Sequence, residues 1–221
     1  GPEEAHKWAH LTEVDVQPVT GDEKNRLAAL KRDASIYACN YQNIPWLVDH
    51  YGAHWPFGTV VADESTRLKS FRLRQGGVRA QALAKVAHKN VKRFINLTGT
   101  PAPNGLQDLW GQTWFLDAGQ RLGRTYSAFT DRWFCRTADG FGRELRSQSA
   151  ADEIYNKLRD ICLTIEARDW FDLKEPIVKE IEVEMPRSAR RLYDQLKKDL
   201  ILQIEQHTIT AANAAVKTQK L

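Results

Sequence analysis

Two apolar runs in this chain stop abruptly at acidic or hydroxyl-bearing residues, and a helical pattern lies between them. The first, Gly58–Ala62, delivers Asp63, Glu64 and Ser65. The second, Phe94–Thr98, runs into Gly99-Thr100-Pro101. Between them Val78, Ala82, Leu83, Val86 and Ala87 fall along one side of a helix spanning about Gly77 to Lys89. Strand, helix and strand in alternation predict a parallel sheet with helices packed on its faces. Open sheets of that kind place their chemistry just past the carboxyl ends of the strands. Both polar strings fall there.

The same grammar extends outward. Ile36–Cys39 is a short apolar strand leading through Asn40-Tyr41-Gln42 into a helix, with Pro45 in its first turn and Gly52 past its end. Gly105–Leu116 predicts an amphipathic helix whose Leu106, Leu109, Trp110 and Trp114 are core anchors. From about Arg121 the character changes. Thr125–Trp133 and Ser149–Ile161 predict helices, the second opened by a cap at Ser149-x-x-Asp152, with a Gly- and Arg-rich loop from Arg136 to Arg146 between them. Ile177–Met185 alternates apolar and polar residues as a half-exposed strand would. Arg187–Gln206 predicts a helix burying Ala189, Leu192, Tyr193, Leu196, Leu200 and Ile204.

An adjacent Asp63-Glu64 pair at a strand end suits nucleotide hydrolysis. One carboxylate can hold a hydrated Mg2+ on the phosphates while its neighbour orients or deprotonates the attacking water. The phosphate-cradling string G-x-x-x-x-G-K-[ST] is missing, because no Gly here is followed by Lys. The pattern is that of part of an ATPase.

Charge adds a partner. The net charge of the 221 residues is only +4, yet no acidic residue occurs between Glu64 and Asp108. Arg67, Lys69, Arg72, Arg74, Arg79, Lys85, Lys89, Lys92 and Arg93 all lie in that interval. Single-sign charge beside the acidic pair points to a polyanion, with Lys69, Arg72, Arg74 and Arg79 as the expected phosphate contacts. Cys39, Cys135 and Cys162 lack C-x-x-C spacing, which argues against a zinc site and for a reducing cytoplasm. Cys39 and Cys162 sit in apolar company and are expected in the core. No apolar run approaches the roughly 18 residues of a membrane span.

Together these strings resemble a known family. Val60-Val61-Ala62-Asp63-Glu64-Ser65-Thr66 is similar to motif II, the Walker B box, of superfamily-two helicases. Leu97-Thr98-Gly99-Thr100-Pro101, then Asn104 and Leu109-Trp110, is similar to motif III of the Swi/Snf branch. Cys39-Asn40-Tyr41-Gln42 stands where that branch carries motif Ib. Phe115-Leu116-Asp117-x-Gly119-x-x-Leu122-Gly123 resembles its bacteriophage and bacterial members. Gln120-x-x-Gly123-Arg124 mimics the start of motif VI, but Ser127 stands where the closing Arg belongs, so Arg124 is read as a surface or DNA-side residue.

The resemblance implies an α/β fold: a partial RecA-like parallel sheet with flanking helices, then a mainly helical protrusion and linker. Residues 1–120 would be the carboxyl-terminal part of the first RecA-like lobe, and 121–221 the protrusion and linker. It implies ATP and Mg2+ as cofactors. Asp63 would hold the ion through water and Glu64 would be the general base. Ser65, Thr66, Thr98, Gly99 and Thr100 would couple hydrolysis to DNA binding, with Asn40 and Tyr41 tracking a DNA strand. Thr66 replaces the His of the common Asp-Glu-Ala-His box. The implied partners are double-stranded DNA, the phosphate-loop segment and the second RecA-like lobe. No membrane is implied, and the location is the cytoplasm of a bacterium or phage-infected host. By itself the chain is expected to bind ATP poorly and not to turn it over. A sheet without its phosphate-loop strand is also expected to leave an apolar surface open to self-association. Two other readings stay open: a non-catalytic nucleic-acid binding or scaffolding module, and an RNA helicase of the same superfamily.

Overall fold

The computed structural model describes residues 7–138, 140, 142–165 and 179–205, with side chains through 198. Strands β1 (Val16–Val19) and β2 (Ile36–Cys39) pair in parallel, Val16 opposite Ile36 and Val19 opposite Cys39. Helix α1 (Glu23–Leu30) connects them. The Asp22 carboxylate opens it by accepting the Asn25 N–H at 2.8 Å, satisfying one of the free donors of the first turn. Helix α2 (Ile44–Tyr51) has Pro45 in its first turn and ends at Gly52, whose φ of 50° belongs to glycine.

Strands β3 (Thr59–Asp63) and β4 (Arg93–Leu97) form a second parallel pair. Thr59 faces Arg93, and Asp63 faces Leu97. Helix α3 (Val78–Ala87) is the crossover, burying Ala80, Ala82, Leu83, Val86 and Ala87. Helices α4 (Asp108–Asp117) and α5 (Tyr126–Trp133) follow, then an antiparallel hairpin of β5 (Phe134–Arg136) and β6 (Arg143–Leu145), and helix α6 (Gln148–Leu158).

One core runs beneath β3 and β4, on the side where Val60, Ala62 and Phe94 point. Its centre is aromatic. Phe71 lies parallel to Trp110 with ring centroids 6.2 Å apart and tilts against Phe115 at 5.0 Å. Trp110 is fully buried, and its indole N–H donates to the Gly123 carbonyl at 2.8 Å. An aromatic buried with its polar edge satisfied contributes roughly 1.5–3 kcal/mol from area alone. The opposite face of the pair is open: Val61, Ile95 and Leu97 are 53%, 37% and 49% exposed. Parallel strands are ordinarily covered on both sides.

The chain divides into two compact units, Gly1–Thr164 and Ile165–Leu221. Residues 121–164 belong to the first unit and put Leu122, Phe129, Trp133, Phe134, Ile154 and Leu158 into its core. The second unit holds helix α7 (Arg187–Glu205), on which Leu192 and Leu196 are exposed rather than buried. Leu200 and Ile204 lie beyond the described side chains.

Several expectations need correcting. The expected loop 136–146 is largely the β5–β6 hairpin, whose Cys135↔Glu144 register the glycines concealed. The cap of α6 is Ser147, which accepts the Ala150 N–H at 3.2 Å, and Ser149 instead lies in the helix. The α4 helix begins at Asp108, since the Thr-Gly-Thr-Pro loop continues through Gln107. No strand forms over residues 179–185, where alternation finds no partner strand among the described residues; Ile177 and Val178 lie outside them. Cys162 is exposed, whereas Cys39 is half-buried and its thiol is pushed up to about 11 by burial.

Candidate functional site

The parallel register of β3 and β4 puts Asp63 beside Leu97, so the chain leaves both strands at the same sheet edge. Glu64 is then turned back by a left-handed backbone, φ 55° and ψ 58°. Few L-residues adopt that conformation, and where they do it clusters at functional turns. A short 3-10 turn over Ser65–Leu68 follows at once.

This turn brings the expected residues together. The Thr98 hydroxyl donates to Glu64 Oε1 at 2.9 Å. Thr66 donates to the same oxygen. The Thr98 oxygen in turn accepts the Thr100 N–H at 3.2 Å. The two hydroxyl donors, Thr66 first and Thr98 second, hold the Glu64 carboxyl below its ordinary value. Oε2 has no hydrogen-bond partner among the described residues. Asp63 and Glu64 are exposed and enter no ion pair there. Gly99 is exposed beside them on the loop.

Ser65 takes the opposite course. It is fully buried and donates to Gln112 Oε1 at 2.8 Å. Gln112, on α4, passes the contact to the Pro101 carbonyl at 2.6 Å. Sequence periodicity treated α4 as a stripe of Leu and Trp and passed over this amide. The one signal for it was a polar residue between Gly111 and Thr113 on a helix otherwise rich in aromatics.

Tyr41 is turned inward. Arg67 stands 5.6 Å over its ring. Burial is the first cause that pushes its phenol up to about 12; Arg67 works against it, and the charges of Asp63 and Glu64 add to it. Asn40 remains exposed. The basic residues expected at a polyanion surface divide in two. Lys69 is 3.4 Å from Asp108. Arg72 lies 3.4 Å over the Tyr126 ring and donates to the carbonyls of Lys69 and Phe71, which occupies its guanidinium within the fold. Arg74 and Arg79 are exposed and unpaired among the described residues. No described helix is long and apolar enough to cross a membrane.

The fold has counterparts. A family model described as the SNF2-related domain matches residues 2–220. The putative protein p41 of Acyrthosiphon pisum secondary endosymbiont phage 1 is 54% identical over 224 residues, covering 100% of this chain and 49% of p41. Helicase SWR1 of Saccharomyces cerevisiae is 31% identical over 117 residues, 47% of this chain and 7% of that protein. The Sulfolobus solfataricus SWI2/SNF2 ATPase core, solved in complex with dsDNA, superposes with a TM-score of 0.56 at 20% identity, over 99% of this chain and 42% of that one. The chain therefore spans about half the length of its phage relative. With a match reaching across nearly all of its residues, the chain belongs to the SNF2-related domain family.

Proposed function

We propose that this chain is the rear part of the first RecA-like lobe of a DNA-dependent ATPase, in which Asp63 and Glu64 face the nucleotide. The observation that carries the reading is the contact from Glu64 to Thr98, which ties the two sequence strings together at one sheet edge. Residues 1–120 make up that lobe segment and 121–221 the protrusion and linker, the former joined to residues 121–164 through their common core. The phosphate-cradling loop and second lobe come from the rest of the protein, in keeping with the greater length of p41.

The residues suit Mg2+ held indirectly. Among the described residues no group of three His, Cys, Asp or Glu converges to ligate a metal. One exposed carboxylate, Asp63, is what an ion coordinated mainly by phosphate oxygens and water requires. When bound, the ion neutralises charge on the phosphate oxygens. Glu64 orients the attacking water and takes its proton, with Oε2 as the open oxygen. Thr66 and Thr98 hold the carboxylate in register with the loop, and release of these donors restores its basicity. Thr98, Gly99 and Thr100 relay the change toward bound double-stranded DNA. Asn40, Arg74 and Arg79 supply sequence-independent contacts to it, with Lys69 nearby. The phage origin of p41 supports the cytoplasm of an infected host as the place of action. In isolation the open Val61–Ile95–Leu97 face favours self-association.

The test is Glu64→Gln in the protein that carries the phosphate loop. DNA-stimulated phosphate release should fall by roughly 10²–10⁴-fold, the usual range for a general base, with circular dichroism unchanged. Unaltered turnover would exclude Glu64 as the base. Loss of fold would make it structural. Turnover by the 221-residue chain alone would refute its dependence on a loop from elsewhere.

A further inference from the structure

The Glu64–Thr98 contact is exposed, but a second connection between the same loops is buried. Gln112 is 5% exposed and sits on α4 beneath both of them. Its amide nitrogen lies 2.6 Å from the Pro101 carbonyl and 3.0 Å from the Asp108 carbonyl. Two carbonyls demand the donor end of the amide, so the other end, Oε1, must be the acceptor. Oε1 receives the Ser65 hydroxyl at 2.8 Å. The Gln112 backbone carbonyl accepts from Asn96 Nδ2 at 3.0 Å, which fixes this residue to β4 as well.

The backbone is shaped to permit this. A Cβ on Gly111 would lie 2.6 Å from the Lys69 carbonyl oxygen and 2.7 Å from that of Leu68. Only glycine lets α4 press against the end of the 65–68 turn, and that approach brings the next residue within reach of Ser65. Asp108 adds a parallel link from the same helix. Its carboxylate accepts the Asn104 N–H at 3.0 Å and pairs with Lys69 at 3.4 Å. Both links leave the segment just after Glu64, pass through α4 and arrive on the 101–104 loop.

We propose that Gln112 is a positioning residue that binds the turn after Glu64 to the 98–104 loop, so that the two loops move as one body. In this arrangement the exposed Thr98 contact can break and re-form while the Ser65–Gln112–Pro101 relay keeps the loops in register. The relay is directional. Donation from Ser65 polarises the Gln112 amide and strengthens its donation to Pro101. The role assigned to the relay rests on the ATPase reading above. Its existence as a mechanical link does not.

The test reads the Ala102 backbone amide by NMR, because the Pro101 carbonyl and the Ala102 nitrogen share one peptide unit. In the 221-residue chain, Ser65→Ala should weaken the Gln112–Pro101 bond and move the Ala102 nitrogen resonance upfield. In a Gln112→Met background, matched in length but unable to donate, the same change should leave Ala102 where it is. An unmoved Ala102 in the Gln112 protein, or an equal movement in both backgrounds, would overturn the relay. If Gln112→Met does not fold, Thr98→Val serves as the background. There Ser65→Ala must still move Ala102, since the relay bypasses Thr98, and its failure to do so overturns the proposal. In the protein with the phosphate loop, Gln112→Met should lower kcat by roughly tenfold with KM little changed, the signature of impaired positioning. An unchanged kcat overturns the functional role. Absence of turnover without any substitution overturns the ATPase reading instead, and the amide shift then still decides the link.

Discussion

Thr98 reaches across from the end of β4 to the carboxylate of Glu64, 2.9 Å away at the end of β3. An ionised carboxylate only accepts, so the Thr98 hydroxyl gives its proton to Glu64 while its oxygen accepts the Thr100 N–H. Glu64 Oε1 thus receives two hydroxyl donors and its carboxyl is held low. A carboxylate in that state is a weaker base than a free one. On the proposed function, this hydrogen-bonded arrangement would be the less basic one, and release of the two donors would precede proton transfer.

If the proposed function holds, replacing Thr98 by Val in the protein with the phosphate loop should uncouple rather than silence hydrolysis. Stimulation by DNA is expected to fall by roughly tenfold, with hydrolysis in its absence retained or raised. Thr98→Ser, which keeps the donor, should restore stimulation. Phosphate release measured with and without duplex decides it. A Val variant still stimulated like the parent protein would remove Thr98 from the coupling path.

The basic surface makes two distinguishable forecasts. Arg74→Glu and Arg79→Glu should each lower duplex affinity and reduce the log–log salt slope by about 0.9 for each phosphate no longer neutralised. Arg72→Ala should leave that slope alone. Its guanidinium covers Tyr126 and bonds two backbone carbonyls, so its removal should cost about 1–3 kcal/mol of folding stability. Fluorescence anisotropy across a salt series and urea melts separate the two outcomes.

Gly111→Ala should be more damaging than its size suggests. The added carbon would meet the backbone of Leu68 and Lys69, which cannot swing aside as a side chain would. About 1–3 kcal/mol of destabilisation is expected from overpacking, set against the gain in helix propensity. A lowered urea midpoint with unchanged slope checks it.

The Arg121–Asp160 pair predicts how stability depends on pH. Arg121 Nη2 lies 2.6 Å from Asp160 Oδ2, and this hydrogen bond holds the Asp160 carboxyl below its ordinary value. A folded-state value that is depressed adds stability above the unfolded-state value, near 3.9 for aspartate, and loses it as pH falls through the folded one. Asp160→Asn should flatten that part of the pH profile and leave the melting temperature in strong acid unchanged. The effect is small, because Asp160 is largely exposed.

The sheet elements nearest the site were legible because each of them announces itself chemically. Val60-Val61-Ala62 and Phe94-Ile95-Asn96-Leu97 are apolar runs bounded by polar residues, and Pro45 and Gly52 bracket α2. What escaped lacked such marks. In β1, Val16-Gln17-Pro18-Val19 carries a proline that argues against a strand, tolerated here in a two-stranded pair. Helix α1, Glu23–Leu30, is short and polar and owes its start to the Asp22 cap. At the site, Asp63, Glu64 and Thr98 were nameable because two polar strand-end strings occur together, in an order and at a separation that resemble paired motifs of one family. Gln112 was not, because its role depends on an interior contact that spacing along the chain does not encode. The contacts of Arg72 within the fold escaped for a related reason. A positive charge in a sequence does not say whether an aromatic ring lies beneath it.

The left-handed backbone at Glu64 carries one more implication. An ordinary side chain held there costs the native state roughly 1–2 kcal/mol relative to glycine, which folds into that region freely. Folding considered alone would favour Gly or Asn at this position, whereas the proposed hydrolysis requires an acid. Robustness and reactivity are opposed at a single residue. A redesign of this protein for heat tolerance that optimised each position by backbone preference would remove the carboxylate, leaving a sturdier molecule without its proposed chemistry.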